Sequence, residues 1–111
     1  MAYSERYPNE APAVNRLLDT LSNPRRRELI HYFESRSQIR ADSLDTVVSH
    51  IDGRMPSASQ TELETSLHHK HIPKLEARGW IDYDARGEEI RYYGNEGAEE
   101  VLQELLSAFS E

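Results

Sequence analysis

The chain has no cysteine. That excludes a disulfide framework, a thiolate metal site and a cysteine nucleophile. Lysine is scarce as well: of the thirteen basic residues only Lys70 and Lys74 are lysine, against twenty carboxylates. No apolar run approaches the roughly 20 residues that a membrane-spanning helix needs. The opening residues, Met1 to Arg6, carry no apolar stretch of signal-peptide type. A cytoplasmic protein with no membrane contact is therefore expected. No phosphate-cradling glycine loop, Ser/His/Asp order or carboxylate dyad stands out, and no βαβ pattern could supply a nucleotide-binding sheet. The chain reads as a non-enzyme with no cofactor and no assignable small-molecule ligand.

A length of 111 residues fits one domain. The net charge of -7 and the shortage of lysine suit a salt-rich cytoplasm, where carboxylates hold water that salt competes for, and equally a mildly acidic protein from any source. Net acidity opposes nonspecific attraction to a phosphate backbone. At molar salt, however, the Debye length is only about 3 Å, so local contacts decide whether DNA is bound.

Residues 1–12 include Pro8 and Pro12 and read as a flexible N-terminal arm. From Ala13, the residues Val14, Leu17, Leu18 and Leu21 recur at helical spacing. Ser22 or Asn23 can cap the next helix, and Pro24 suits a first turn that needs no amide donor. That helix runs to about Glu34 and buries Leu29, Ile30 and Phe33. Ser37 to Arg40, around Ile39, reads as a short edge strand. Asp42 or Ser43 caps a further helix with Leu44, Val47, Val48 and Ile51 inward, and Gly53 is expected to stop it.

After a linker from Arg54 to Ser59, a third core helix is expected from about Gln60 to Arg78. Its apolar face is Leu63, Leu67, Ile72 and Leu75, with a bend at Pro73 and a stop at Gly79. Trp80–Asp84 and Glu88–Tyr93 then alternate like strands around a three-residue hairpin loop, Ala85 to Gly87. A last helix over 95–111 lines up Val101, Leu102, Leu105, Leu106 and Phe109. Three core helices followed by a hairpin make a mainly α fold with a small β-hairpin wing, a winged helix-turn-helix. The winged-helix domain spans 13–94, and the C-terminal helix, 95–111, is the expected dimerisation element.

Two stretches carry a family resemblance. Leu21-Ser22-Asn23-Pro24-Arg25-Arg26-Arg27-Glu28-Leu29-Ile30 resembles the Leu-x-(Asp/Asn)-Pro-x-Arg-Arg-x-Ile-Leu opening of ArsR-type winged-helix repressors. His71-Ile72-Pro73-Lys74-Leu75-Glu76-Ala77-Arg78-Gly79-Trp80-Ile81 resembles the end of their recognition helix. The string from His68 to Leu75, followed by an Ile-Asp-Tyr-Asp strand, is more similar to a haloarchaeal family of winged-helix domains. The resemblance implies a cytoplasmic, usually dimeric transcription regulator, its third core helix in the major groove and its hairpin as a wing. The linker is longer and holds Pro56, the helix carries Glu62, Glu64 and Pro73, and the cysteines of metal-sensing relatives are absent. Inducer sensing therefore does not carry over.

Double-stranded DNA is the expected partner. Gln60, Thr61, Thr65, Ser66, His69 and Lys70 lie off the apolar stripe and can reach bases or phosphates. Arg86 at the hairpin tip and Arg91 on the returning strand are placed for phosphate or minor-groove contact. Arg25 and Arg26, with Arg27, crowd a helix N-terminus where cations are disfavoured. They point either to an external anion or to pairing with Glu28, Glu34 or other acids of the chain. His68 and His71 share a helix face at i,i+3, but two ligands do not close a zinc site, so no metal is assigned. The competing function is a winged-helix protein-protein interaction module that docks through its acidic face, and fold alone does not decide between the two. A positive strip across Arg25, Lys70 and Arg86 would favour DNA.

Two apolar stripes flank the core and are read as a homodimer interface: Leu17 and Leu18 near the start, and Val101, Leu102, Leu105, Leu106 and Phe109 near the end. Two-fold pairing lets a protein span half-sites roughly 34 Å apart. In the alternative, the terminal helices pack on each other within a monomer. Sedimentation in high salt is expected to show twice the 12.8 kDa of one chain, with Leu105→Glu plus Phe109→Glu giving a folded monomer. A wild type running as a monomer at micromolar concentration removes the dimer.

Overall fold

The computed structural model describes residues 15–36, 38–55 and 59–94. The expected arm, Val14 and the C-terminal stripe from Val101 to Phe109 lie outside the described residues. The first described helix, α1, covers residues 15–22. Asn23 then caps α2 (Pro24–Glu34), its side chain accepting from the amides of Arg25 and Arg26, with Pro24 in the first turn. Leu21, Leu29, Ile30 and Phe33 are fully buried. Leu17 packs partly on this same core, while Leu18 is 44% exposed.

The edge strand forms later than expected, at β1 (Ala41–Ser43). The amide of Ile39 is held in a turn on the Arg36 carbonyl at 2.8 Å, so sheet pairing starts only beyond it. The Tyr32 hydroxyl donates to the Asp42 carboxylate and fastens β1 to α2. Ser43 caps α3 (Leu44–Arg54) by accepting from the Thr46 amide. Gly53 does not stop this helix. It sits inside it without a left-handed φ, and the chain leaves at Met55.

The third core helix is interrupted in a specific way. α4 (Gln60–Ser66) passes into a π turn (Leu67–His71) and then α5 (Ile72–Ala77). The Ile72 amide donates to the Leu67 carbonyl, five residues back. Pro73 explains the widening, because it has no N–H and its ring crowds the carbonyl four residues earlier. The turn also repairs the apolar face. In an unbroken helix, nine residues at about 100° each would put Ile72 roughly opposite Leu63. With the extra residue in the turn, Leu63, Leu67, Ile72 and Leu75 are all buried.

The helix ends in a Schellman motif. Gly79 is left-handed (φ 79°), its amide donates to Glu76, and the Trp80 amide donates to Leu75. β2 (Ile81–Asp84) and β3 (Glu89–Tyr92) follow, giving an antiparallel sheet in the order β1-β3-β2. Asp84 pairs with Glu89, so the loop has four residues rather than the expected three. Its left-handed residue is Glu88 (φ 50°), not Gly87. The Glu88 carbonyl accepts from the Leu44 amide at 2.8 Å, which ties the loop to the first turn of α3 and fixes that geometry. Phe33 stacks flat on Tyr92, ring centroids 5.0 Å apart, and joins sheet to helices. The result is a winged helix-turn-helix with a three-stranded sheet. Among the described residues no helix is long and apolar enough to cross a membrane.

Two glycines separate backbone strain from packing. A Cβ at Gly53 or Gly79 would meet nothing within 4 Å. Gly79→Ala is expected to cost about 1–2 kcal/mol, because an L side chain resists the left-handed region. Gly53→Ala, in a helix, is expected to add roughly 0.5 kcal/mol. Urea unfolding of the two variants checks the opposite signs.

Candidate nucleic-acid interface

With the apolar face turned inward, Gln60, Thr61, Thr65, His69 and Lys70 are exposed, and Ser66 is half-buried. Thr61, Thr65 and His69 follow one another at i,i+4 and form an outward stripe. The wing borders one flank. The His68 ring lies 5.5 Å from that of Tyr83 and 5.0 Å from that of His69. The Tyr83 amide donates to the Glu76 carboxylate at 3.0 Å. Hairpin and helix therefore form one continuous surface.

The arginine run borders the other flank, and most of it serves the chain itself. Arg25 makes a bidentate pair with Glu62, at 3.1 and 2.7 Å. Arg26, expected at a phosphate, is only 4% exposed. Its guanidinium donates to the carbonyls of Thr20 and Asp19, each at 2.8 Å, and to Nδ1 of His71 at 3.1 Å. Arg27 donates to the carbonyls of Leu21 and Ser22. These four carbonyls lie at the C-terminal end of α1, where helix geometry leaves acceptors without partners. The expected external anion is thus replaced, for Arg26, by the end of the preceding helix. The signal was in the sequence: three cations stand within a turn of a helix C-terminus, where the macrodipole favours them.

Asp19 adds to this seam. Its carboxylate pairs with Lys74 at 2.9 Å and Arg78 at 2.8 Å, and those contacts hold its pKa below the usual value. His68 and His71, expected on one face, diverge across the π turn. His68 is exposed against Tyr83, whereas His71 is 2% exposed.

On the wing, Arg86 and Arg91 are exposed as expected. Their surroundings are acidic. The Arg86 amide donates to Asp84, and the Arg91 guanidinium lies 4.0 Å from Glu89. Glu76, Asp82, Tyr83, Asp84, Glu89 and Arg91 line a groove of about 350 Å³. The strip imagined across Arg25, Lys70 and Arg86 is therefore interleaved with carboxylates at Glu62 and Asp84.

A model of the family described as Domain of unknown function (DUF7344) matches residues 18–91. The chain belongs to that family. The DUF7344 span opens at Leu18 in α1 and closes at Arg91 in β3, so it contains the arginine seam, the bulged helix and the wing. No curated protein and no solved structure matches the chain.

The seam of this DUF7344 domain predicts a pH dependence. A guanidinium only donates, so His71 Nδ1 must accept and the imidazole is neutral. Burial, then the charges of Arg26 and Lys70, lower its pKa from 6.5 to about 4. Between those values the unfolded chain binds the extra proton, so stability is full above about pH 6.5 and falls as pH drops towards 4. Burial lowers His50 in the same direction. His71→Gln, which keeps an acceptor for Arg26, is expected to flatten the slope in part when unfolding is followed from pH 7 to 4. An unchanged slope would assign it to other groups.

Proposed function

We propose that this chain is a cytoplasmic DNA-binding transcriptional regulator of winged-helix type, a homodimer with double-stranded DNA as its partner and no catalytic role. The outward stripe of Thr61, Thr65 and His69 carries the reading. It is left outside by a core that closes behind it, and it adjoins a hairpin wing. Hydroxyl and imidazole groups can donate and accept at base edges, and Gln60 and Lys70 extend the stripe. Arg86 and Arg91 supply wing contacts to phosphate, which position the protein without reading sequence. The exposure of Leu18 supports a dimer surface on α1.

The acidic groove beside Arg91 favours a second reading, a winged-helix module that docks another protein. Salt titration of duplex binding separates the two. Arg86→Ala with Arg91→Ala is expected to weaken binding to every sequence and to reduce the salt slope by about one unit per lost contact. Unchanged affinity in the folded double variant would remove the wing from the DNA interface. Absence of wild-type binding to any duplex, at low or molar salt, would favour protein docking.

A further inference from the structure

Glu62 does not fit a plain phosphate-facing surface, because a carboxylate there is repelled. It occupies the third position of α4, and Ser59-Gln60-Thr61-Glu62 has the capping-box pattern, with the Ser59 hydroxyl accepting from the Glu62 amide at 3.2 Å. In a capping box the carboxylate turns back to the N-cap amide. Here both of its oxygens accept from Arg25. The Glu62 side chain is 56% exposed and that of Arg25 only 22%, so the arginine lies beneath and the carboxylate stands outward. Its neighbours at i+3 and i+4 are Thr65 and Ser66. A position in the first turn of a recognition helix is where base edges are commonly contacted.

We propose that Glu62 is a specificity-determining residue that accepts a hydrogen bond from the N4 amino group of a cytosine in the major groove, with Arg25 as the positioning residue that holds it. The proposal rests on the DNA-binding reading above. Each carboxylate oxygen has two lone-pair directions, so the Arg25 fork leaves one on each oxygen for a base. The fork also neutralises the carboxylate as it approaches the phosphates. Its contact holds Glu62 below the usual carboxylate range, which keeps the group an acceptor at neutral pH. An acceptor-only group matches cytosine N4. It is mismatched with guanine, which offers N7 and O6, and with thymine O4, and at adenine the N7 acceptor opposes it.

The test is selection of bound duplexes from a random-sequence library, followed by sequencing, for wild type, Glu62→Gln and Arg25→Lys. The wild type is expected to enrich a motif with one cytosine whose replacement lowers affinity at least about fivefold. Glu62→Gln should move that single position to adenine, because an amide matches adenine N6 and N7, and leave the rest of the motif intact. Arg25→Lys keeps the charge but loses the fork, and should weaken the cytosine preference without redirecting it. The same motif at the same affinity from Glu62→Gln overturns the proposal while DNA binding stands. An unchanged cytosine preference in Arg25→Lys removes the positioning role. A wild type that enriches no motif overturns both the proposal and the specific DNA reading beneath it.

Discussion

Arg26 is an arginine with almost no access to water, and three parts of the chain meet on it. Its guanidinium takes the Asp19 and Thr20 carbonyls of α1 and the imidazole of His71 in the π turn, while its own amide is capped by Asn23. Burying a charge costs several kcal/mol unless its donors are satisfied. The carbonyl end of α1 supplies both acceptors and partial negative charge. Lysine could not replace it, because a single ammonium does not present donors in a fixed planar fork. Arg78 reinforces the joint from the other side, donating to the Thr20 hydroxyl at 2.8 Å and to the Arg16 carbonyl at 3.1 Å.

The same joint governs the outward face. Pro73 follows the widened turn, which accommodates its missing N–H, and His71 in that turn is buried against Arg26. The turn also restores Ile72 and Leu75 to the side of Leu63 and Leu67. Thr61 and Thr65 in α4 and His69 in the turn lie outside. π turns inside α-helices are frequent at functional sites. Here the turn divides one helix between a polar seam, an apolar core and an exposed stripe.

Much of this was legible because local chemistry and burial agree. Asn23 and Ser43 cap where their side chains suggest, and Leu29, Phe33, Val47, Ile51, Leu67 and Leu75 are buried as their spacing requires. The misses have physical causes. A glycine near a helix end looks like a stop, but Gly53 shows that glycine permits the left-handed turn without imposing it. Four loop residues follow from a long-range bond, Leu44 to Glu88, which no local pattern contains. Apolar periodicity carries no signal for a buried cation such as Arg26. The acceptors it serves belong to the preceding helix, and His71 lies 45 residues away.

On the proposed DNA-binding reading, the acidity of the chain bears differently on the wing and on the helix face. In dilute salt a net charge of -7 and the carboxylates around Arg91 oppose approach to DNA. In molar salt that repulsion is screened within about 3 Å, but the gain from releasing counterions fades with it. Exposed ion pairs such as Arg91 with Glu89 then contribute about 0–1 kcal/mol at most. Short contacts survive screening best, and the bidentate Arg25–Glu62 pair is of that kind. If such an acidic winged helix binds DNA in strong salt, it would depend less on its wing cations than on hydrogen bonds made at contact distance. On the proposed DNA-binding reading, recognition would be pushed towards the helix face, where a neutralised carboxylate costs least and could still discriminate between bases.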